Sequence, residues 1–145
     1  MGMNRSEGKK MEAKQTIVWR HDLNCRLGKK MAQAAHASLA HFANTLRENC
    51  DEDGNVSGFK LSKAQYLWYI GNFRKIVLRV ENEDQLLIIY EKAKELGLPT
   101  ELIIDSGLTE WEGPTKTCIS IGPADANLID QVTGDNGPLG RLKPM

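Results

Sequence analysis

The stretch KIVLRVENEDQLLIIYEKAKELGLPTELIID, running from Lys75 to Asp105, decides the fold. Lys75-Ile76-Val77-Leu78-Arg79-Val80 has the β-branched, apolar composition of a strand. Asn82 offers a side-chain oxygen to start a helix, and Gln85 follows three residues later in the manner of a capping box. Leu86, Ile89, Ala93 and Leu96 then recur at helical spacing as one buried stripe, and Gly97 with Pro99 stops the helix. Leu102-Ile103-Ile104 is a second strand, and Asp105 stands directly after it. A strand, an amphipathic helix and a strand in succession place the chain in the α/β class.

Working outward, Thr16-Ile17-Val18-Trp19 reads as an earlier strand, and Gly28 to about Leu46 as a helix. Met31, Ala35, Leu39, Phe42 and Leu46 predict the buried stripe of that helix. Lys29, Gln33 and His36 form a polar column on another face. Asn49 to Gly58 is a polar loop, and Ser62 to Ile70 a short helix expected to pack Tyr66, Tyr69 and Ile70 inward. Thr117 to Ile121 is a fourth strand, and a last helix is expected to start after Gly122-Pro123 and run to about Val132. The expected order is β-α-α-β-α-β-β-α, one α/β domain with a four-stranded mixed sheet in a three-layer α/β/α arrangement. Residues 1–14 read as a polar arm, 15–134 as the domain and 135–145 as an irregular tail.

Bulk properties narrow the function classes. The 145 residues allow one domain, and 41% hydrophobic with 26% charged residues is too apolar for disorder. Nineteen basic residues balance nineteen acidic ones, so a nucleic-acid partner would need a local basic patch. No apolar run approaches the roughly 20 residues that span a bilayer, so no membrane partner is expected. Met1 to Lys14 lacks the apolar core of a signal peptide, and Cys25, Cys50 and Cys118 show no CxxC spacing. A reducing, cytoplasmic setting with neither disulfide framework nor zinc site is the simplest reading.

Several motifs fail on inspection. Gly28-Lys29-Lys30 suggests a phosphate loop, but Leu23 stands where that loop needs its first glycine. Asp51-Glu52-Asp53-Gly54-Asn55 suggests a calcium loop, yet Val56 takes the glycine position and Ser62 the glutamate position. Other residues stay open. Lys29 near a helix start is either a functional cation or a solvated charge. Asp105 before Ser106-Gly107 is either a catalytic carboxylate or an Asx-turn residue. His36 and His41 have no ligand spacing and no neighbouring nucleophile.

Two clusters lie 70 to 80 positions apart. Arg20-His21-Asp22-Leu23 leads to Gly28-Lys29 and Gln33-Ala34-Ala35-His36-Ala37, and Asp105-Ser106-Gly107-Leu108-Thr109 leads to Thr115-Lys116-Thr117 and Gly122-Pro123. Together they resemble the two signatures of the archaeal- and eukaryotic-type (type 2) peptidyl-tRNA hydrolases. The resemblance covers roughly residues 15 to 134. It departs at Arg26, often glycine in the family, at Trp19, at the reversed Gly113-Pro114, and in longer Asn49–Lys60 and C-terminal segments.

Carried over by position, the resemblance implies a site of Lys29, Asp105, Thr109 and Thr117, supported by Arg20, Asp22, Gln33 and His36. It implies peptidyl-tRNA as substrate. Arg26, Lys30 and Lys116 beside the site are candidate phosphate contacts, because basic side chains position a nucleic-acid backbone, and Arg141 and Lys143 on the tail are weaker candidates. No metal or cofactor is implied, and a homodimer would fit the family. Two other readings use the same residues: a tRNA-binding or protein-interaction module with little hydrolysis, and a hydrolase of another small ester.

Overall fold

The computed structural model describes residues 11–145. Its elements are β1 (Ala13–Arg20), α1 (Leu27–Glu48), α2 (Lys63–Ile70), β2 (Lys75–Val80), α3 (Glu83–Glu95), β3 (Thr100–Asp105), β4 (Thr115–Asp125), α4 (Ala126–Thr133) and β5 (Lys143–Pro144). The expected polar arm falls, over residues 1–10, outside the described residues. Its last two positions, Ala13 and Lys14, already belong to β1 and are buried.

The sheet has five strands in the order β3-β4-β1-β2-β5, where four were expected. It is mixed: β1 runs parallel to β2, with Ile17 opposite Val77, and antiparallel to β4, with Val18 opposite Ile119. The added strand comes from the tail, where Lys143 pairs with Arg79 on the outer edge of β2. An open edge presents unpaired backbone groups, and the tail covers this one with very little strand propensity of its own. Leu142 anchors the tail at 7% exposure. β4 also continues past Ile121 through Gly122 and Pro123, so the last helix begins at Ala126 with Asp125 as its cap. Gly122 has φ +97°, and a Cβ there would lie 2.7 Å from the Lys14 carbonyl oxygen, so the two strands can pass this closely only at a glycine.

Alternate residues of the central strands serve different cores. Val18, Val80, Ile119 and Ile121 join Leu86, Ile89 and Ala93 of α3 and Ile129 and Val132 of α4. Ile17, Trp19 and Cys118 join Ala37 of α1 in a smaller cluster. The cap of α3 forms as read, since the Asn82 side chain accepts from the Gln85 N–H at 2.9 Å. Gln85 reaches back one residue further than a capping box, to the Glu81 N–H.

Two helix faces differ from expectation. In α1 the buried positions are Gln33 and Ala37, whereas Met31 and Leu39 are 65% and 60% exposed. Gln33 is drawn inward by buried hydrogen-bond partners, and the small Ala37 lets the helix approach the sheet. The more apolar stripe is thereby left outside. In α2 the anchor is Trp68, buried with its Nε1–H donated to the Arg74 carbonyl at 2.7 Å, while Tyr66 and Ile70 face outward.

Candidate active site

The first turn of α1, the end of β3 and the start of β4 meet at one end of the sheet. Antiparallel pairing sets Asp105, the last residue of β3, opposite Thr115, the first of β4. Lys29 projects from α1 to the Asp105 carboxylate, Nζ to Oδ2 2.8 Å, and also donates to the Thr109 hydroxyl at 2.9 Å. Gln33, one turn along α1, donates its Nε2–H to the same Oδ2 at 2.9 Å. Its Oε1 accepts from Thr117 at 2.7 Å. The other carboxylate oxygen, Oδ1, accepts the Gly107 N–H at 2.8 Å, so Asp105 closes an Asx-turn while facing Lys29. The Asx-turn and the lysine pair occupy the two oxygens of the same carboxylate.

The side chains of Lys29 and Asp105 keep 19% and 10% of their surface, enough for a small reactant to reach them. Lys29's hydrogen bond, then the Gly107 N–H, holds the Asp105 carboxyl below the usual carboxylate range against the opposing effect of burial. Asp105 is therefore an anion at neutral pH, paired with a cation that has donor capacity to spare.

The remaining residues carried over from the sequence fall into four groups. Thr117 is fully buried beneath the site, its hydroxyl given to Gln33. Arg20 grips Asp22 with two bonds of 3.1 and 2.9 Å and donates to the Lys116 carbonyl at 3.0 Å, tying the turn after β1 to the strand that carries Thr117. His36 is exposed on α1, outside the hydrogen bonds that join Lys29 and Gln33 to Asp105. Arg26 is exposed beside the site, with Lys30 half-buried on α1 and Lys116 half-buried on β4.

Two loop residues were not legible beforehand. The Trp111 indole lies with its centroid 5.4 Å from Lys29 Nζ, and its Nε1–H reaches the Asn24 carbonyl at 3.1 Å. Glu110 accepts the Arg26 N–H at 2.9 Å. The only sequence signal was a tryptophan between two glycines of a loop joining two site motifs. Among the described residues, no group of three or more His, Cys, Asp or Glu is placed to hold a metal ion.

Comparison with known proteins matches residues 13–136 to the family model described as peptidyl-tRNA hydrolase PTH2. A protein of Sulfurisphaera tokodaii named peptidyl-tRNA hydrolase is 42% identical over 125 residues, covering 86% of this chain and 97% of its own. One of Methanopyrus kandleri with the same name is 41% identical over 122 residues, covering 84% and 94%. With both signatures gathered around one lysine–aspartate pair, the chain belongs to the type 2 peptidyl-tRNA hydrolase family.

Proposed function

We propose that this protein hydrolyses the ester joining a peptide, or an N-blocked amino acid, to the 3′-terminal ribose of tRNA, at the Lys29–Asp105–Thr109 cluster. The observation that carries the reading is the distribution of hydrogen bonds there. An ammonium has three donors, and Lys29 commits two, to Asp105 and Thr109. The third is left for the oxygen that becomes negative when water adds to the ester carbonyl. Losing one such donor costs on the order of 3 kcal/mol of transition-state stabilisation.

Asp105 retains lone-pair sites for the attacking water. A carboxylate held this acidic is a weak base at neutral pH, so its work is chiefly to aim the water. Thr109 accepts from Lys29, which frees its own O–H for the substrate. Thr117 acts from below, fixing Gln33 and through it Asp105. Collapse of the adduct breaks the C–O bond to the ribose, and the proton given up by the attacking water ends on the departing ribose oxygen.

Arg26, Lys30 and Lys116 border the cluster and supply phosphate contacts for the tRNA end, as a chain of zero net charge requires. Helices on both faces of the sheet support the three-layer arrangement, and the reaction class supports a cytoplasmic setting. A homodimer is supported by the apolar face of α1 and the neighbouring sheet edge. Leu27, Met31, Leu39, Phe73, Val77 and Met145 are each between 38% and 71% exposed and border two adjoining grooves.

The decisive measurement is release of N-acetyl-amino acid from N-acetyl-aminoacyl-tRNA by wild type, Lys29→Ala and Asp105→Ala. Loss in both folded variants supports the site, and turnover undiminished in either would remove that residue from it. Bound tRNA without wild-type turnover would favour the binding module. For the dimer, light scattering of Met31→Lys/Leu39→Glu should show half the wild-type mass, and a monomeric wild type would end that part of the reading.

A further inference from the structure

We propose that Trp111 is a positioning residue for the reaction, seating the 106–114 loop so that the Thr109 hydroxyl is held against Lys29. The inference rests on the hydrolase reading above and concerns how the site is assembled. Thr109 belongs to no helix or strand, is exposed, and is joined to α1 through one side-chain bond, to Lys29. Nothing within Thr109 itself would keep it there. The loop must be held by other contacts.

Trp111 makes three. Its Nε1–H is donated to the carbonyl of Asn24, on the turn before α1. Its ring faces the Lys29 ammonium at cation–π distance. Its apolar surface packs on the small core cluster of Ile17, Trp19, Ala37 and Cys118. A rigid indole meeting core, backbone and active-site cation at once fixes where the loop lies. Thr109, two residues away, is carried with it. Glu110 adds a bond from the opposite side of the chain, to the Arg26 N–H.

The neck of the loop suits this arrangement. Gly107 has φ +78°, and a Cβ there would run into the Gly113 carbonyl, so the two ends are pinched together. Gly107 also fixes Asp105 through its N–H. The loop therefore has a rigid base at Asp105 and a tip whose register depends on the Trp111 anchor. Lys29 meets both parts, which makes the tip's seating a condition for the complete cluster. The apolar Leu108 beside Thr109 is 86% exposed and provides no anchor of its own.

The test compares kcat and KM on N-acetyl-aminoacyl-tRNA for wild type, Trp111→Ala, Trp111→Phe, Thr109→Val and the Trp111→Ala/Thr109→Val pair. Trp111→Ala should lower kcat by roughly tenfold to a hundredfold, the usual effect of misplacing a group by about 1 Å, with KM changed far less. Trp111→Phe keeps a ring over Lys29, loses the N–H bond and should fall between. In the Thr109→Val background the Trp111→Ala change should cost almost nothing, because residues acting through one another are not additive. Additive losses, or a change confined to KM, would overturn the proposal in favour of general packing or direct substrate contact.

Acrylamide quenching supplies a readout independent of turnover. Trp19 and Trp68 are 2% and 1% exposed, so Trp111 is the tryptophan a quencher reaches most easily. Lys29→Ala should increase quenching as the tip loosens, and unchanged quenching would overturn the seating. A wild type inert on this ester would sink the hydrolase reading and the catalytic consequence with it. The quenching comparison would still judge whether Trp111 docks the loop.

Discussion

Replacing Thr117 by valine separates a hydroxyl that touches the ester from one that works through a neighbour. Thr117 is fully buried, and its hydroxyl donates to Gln33 Oε1 at 2.7 Å. Valine matches threonine in shape, so no cavity forms, but Gln33 keeps a buried acceptor without a donor. Leaving such a group unsatisfied costs about 1–3 kcal/mol. For a chain of this length each kcal/mol lowers the melting temperature by about 2–4 °C, so a drop of roughly 2–12 °C is expected. Gln33 is also the second donor to Asp105 Oδ2, and its loosening should reduce kcat about tenfold while KM holds. Thr117→Ser keeps the bond and should stay near wild type in both measurements. Urea or thermal unfolding, run beside single-turnover hydrolysis of N-acetyl-aminoacyl-tRNA, reads both effects. A large loss of kcat with undiminished stability would show that Thr117 reaches the substrate directly. No change in either quantity would show that it does not hold Gln33.

Three further outcomes are expected. Because Lys29 and the Gly107 N–H depress the Asp105 carboxyl, its pairing is present above the ordinary carboxylate range and is lost only as pH falls through the lowered value. Carboxyl NMR should therefore show Asp105 titrating below the usual value of about 4, and Lys29→Met should move it upward; an unmoved titration would refute the pairing. Burial pushes the Cys118 thiol up to about 11, whereas Cys50 is exposed, so iodoacetamide at pH 8 should label Cys50 in the native protein and Cys118 only after unfolding. If Arg26, Lys30 and Lys116 each neutralise one phosphate, log affinity for tRNA against log salt should have a slope of about −2, and Arg26→Ala should make it shallower by about a third. A slope near zero would remove the patch.

The residues of the candidate site were legible because they occur as two compact motifs. Lys29 and Gln33 lie one turn apart, so any helix over them presents both in one direction, and Asp105 ends a strand whose apolar run is unmistakable. Their roles were less legible. Thr117 reads as one polar residue among Thr115-Lys116-Thr117, and only strand register shows which hydroxyl is buried against Gln33. His36 repeats the helical spacing of the column yet faces solvent, because the column is wider than the part of α1 the sheet can cover.

What the sequence by itself determined is the alternation of strands and helices, the caps at Asn82 and Gly97, and the residue types of the candidate cluster, all of which depend on neighbours within a few positions. What only the tertiary structure decided is how those pieces are oriented. The apolar stripe of α1 predicts burial of Met31 and Leu39, but the fold turns Gln33 and Ala37 inward. A buried amide has to find its partners, and they are Asp105 and Thr117, 72 and 84 positions away. The tail shows the same limit, since Lys143–Pro144 becomes a strand because β2 offers it an open edge. Trp111 likewise gains its place from Asn24, Lys29 and the core beneath. Periodicity records what a segment prefers along its own axis, whereas hydrogen-bond satisfaction and edge pairing are settled between segments that meet only in the folded chain.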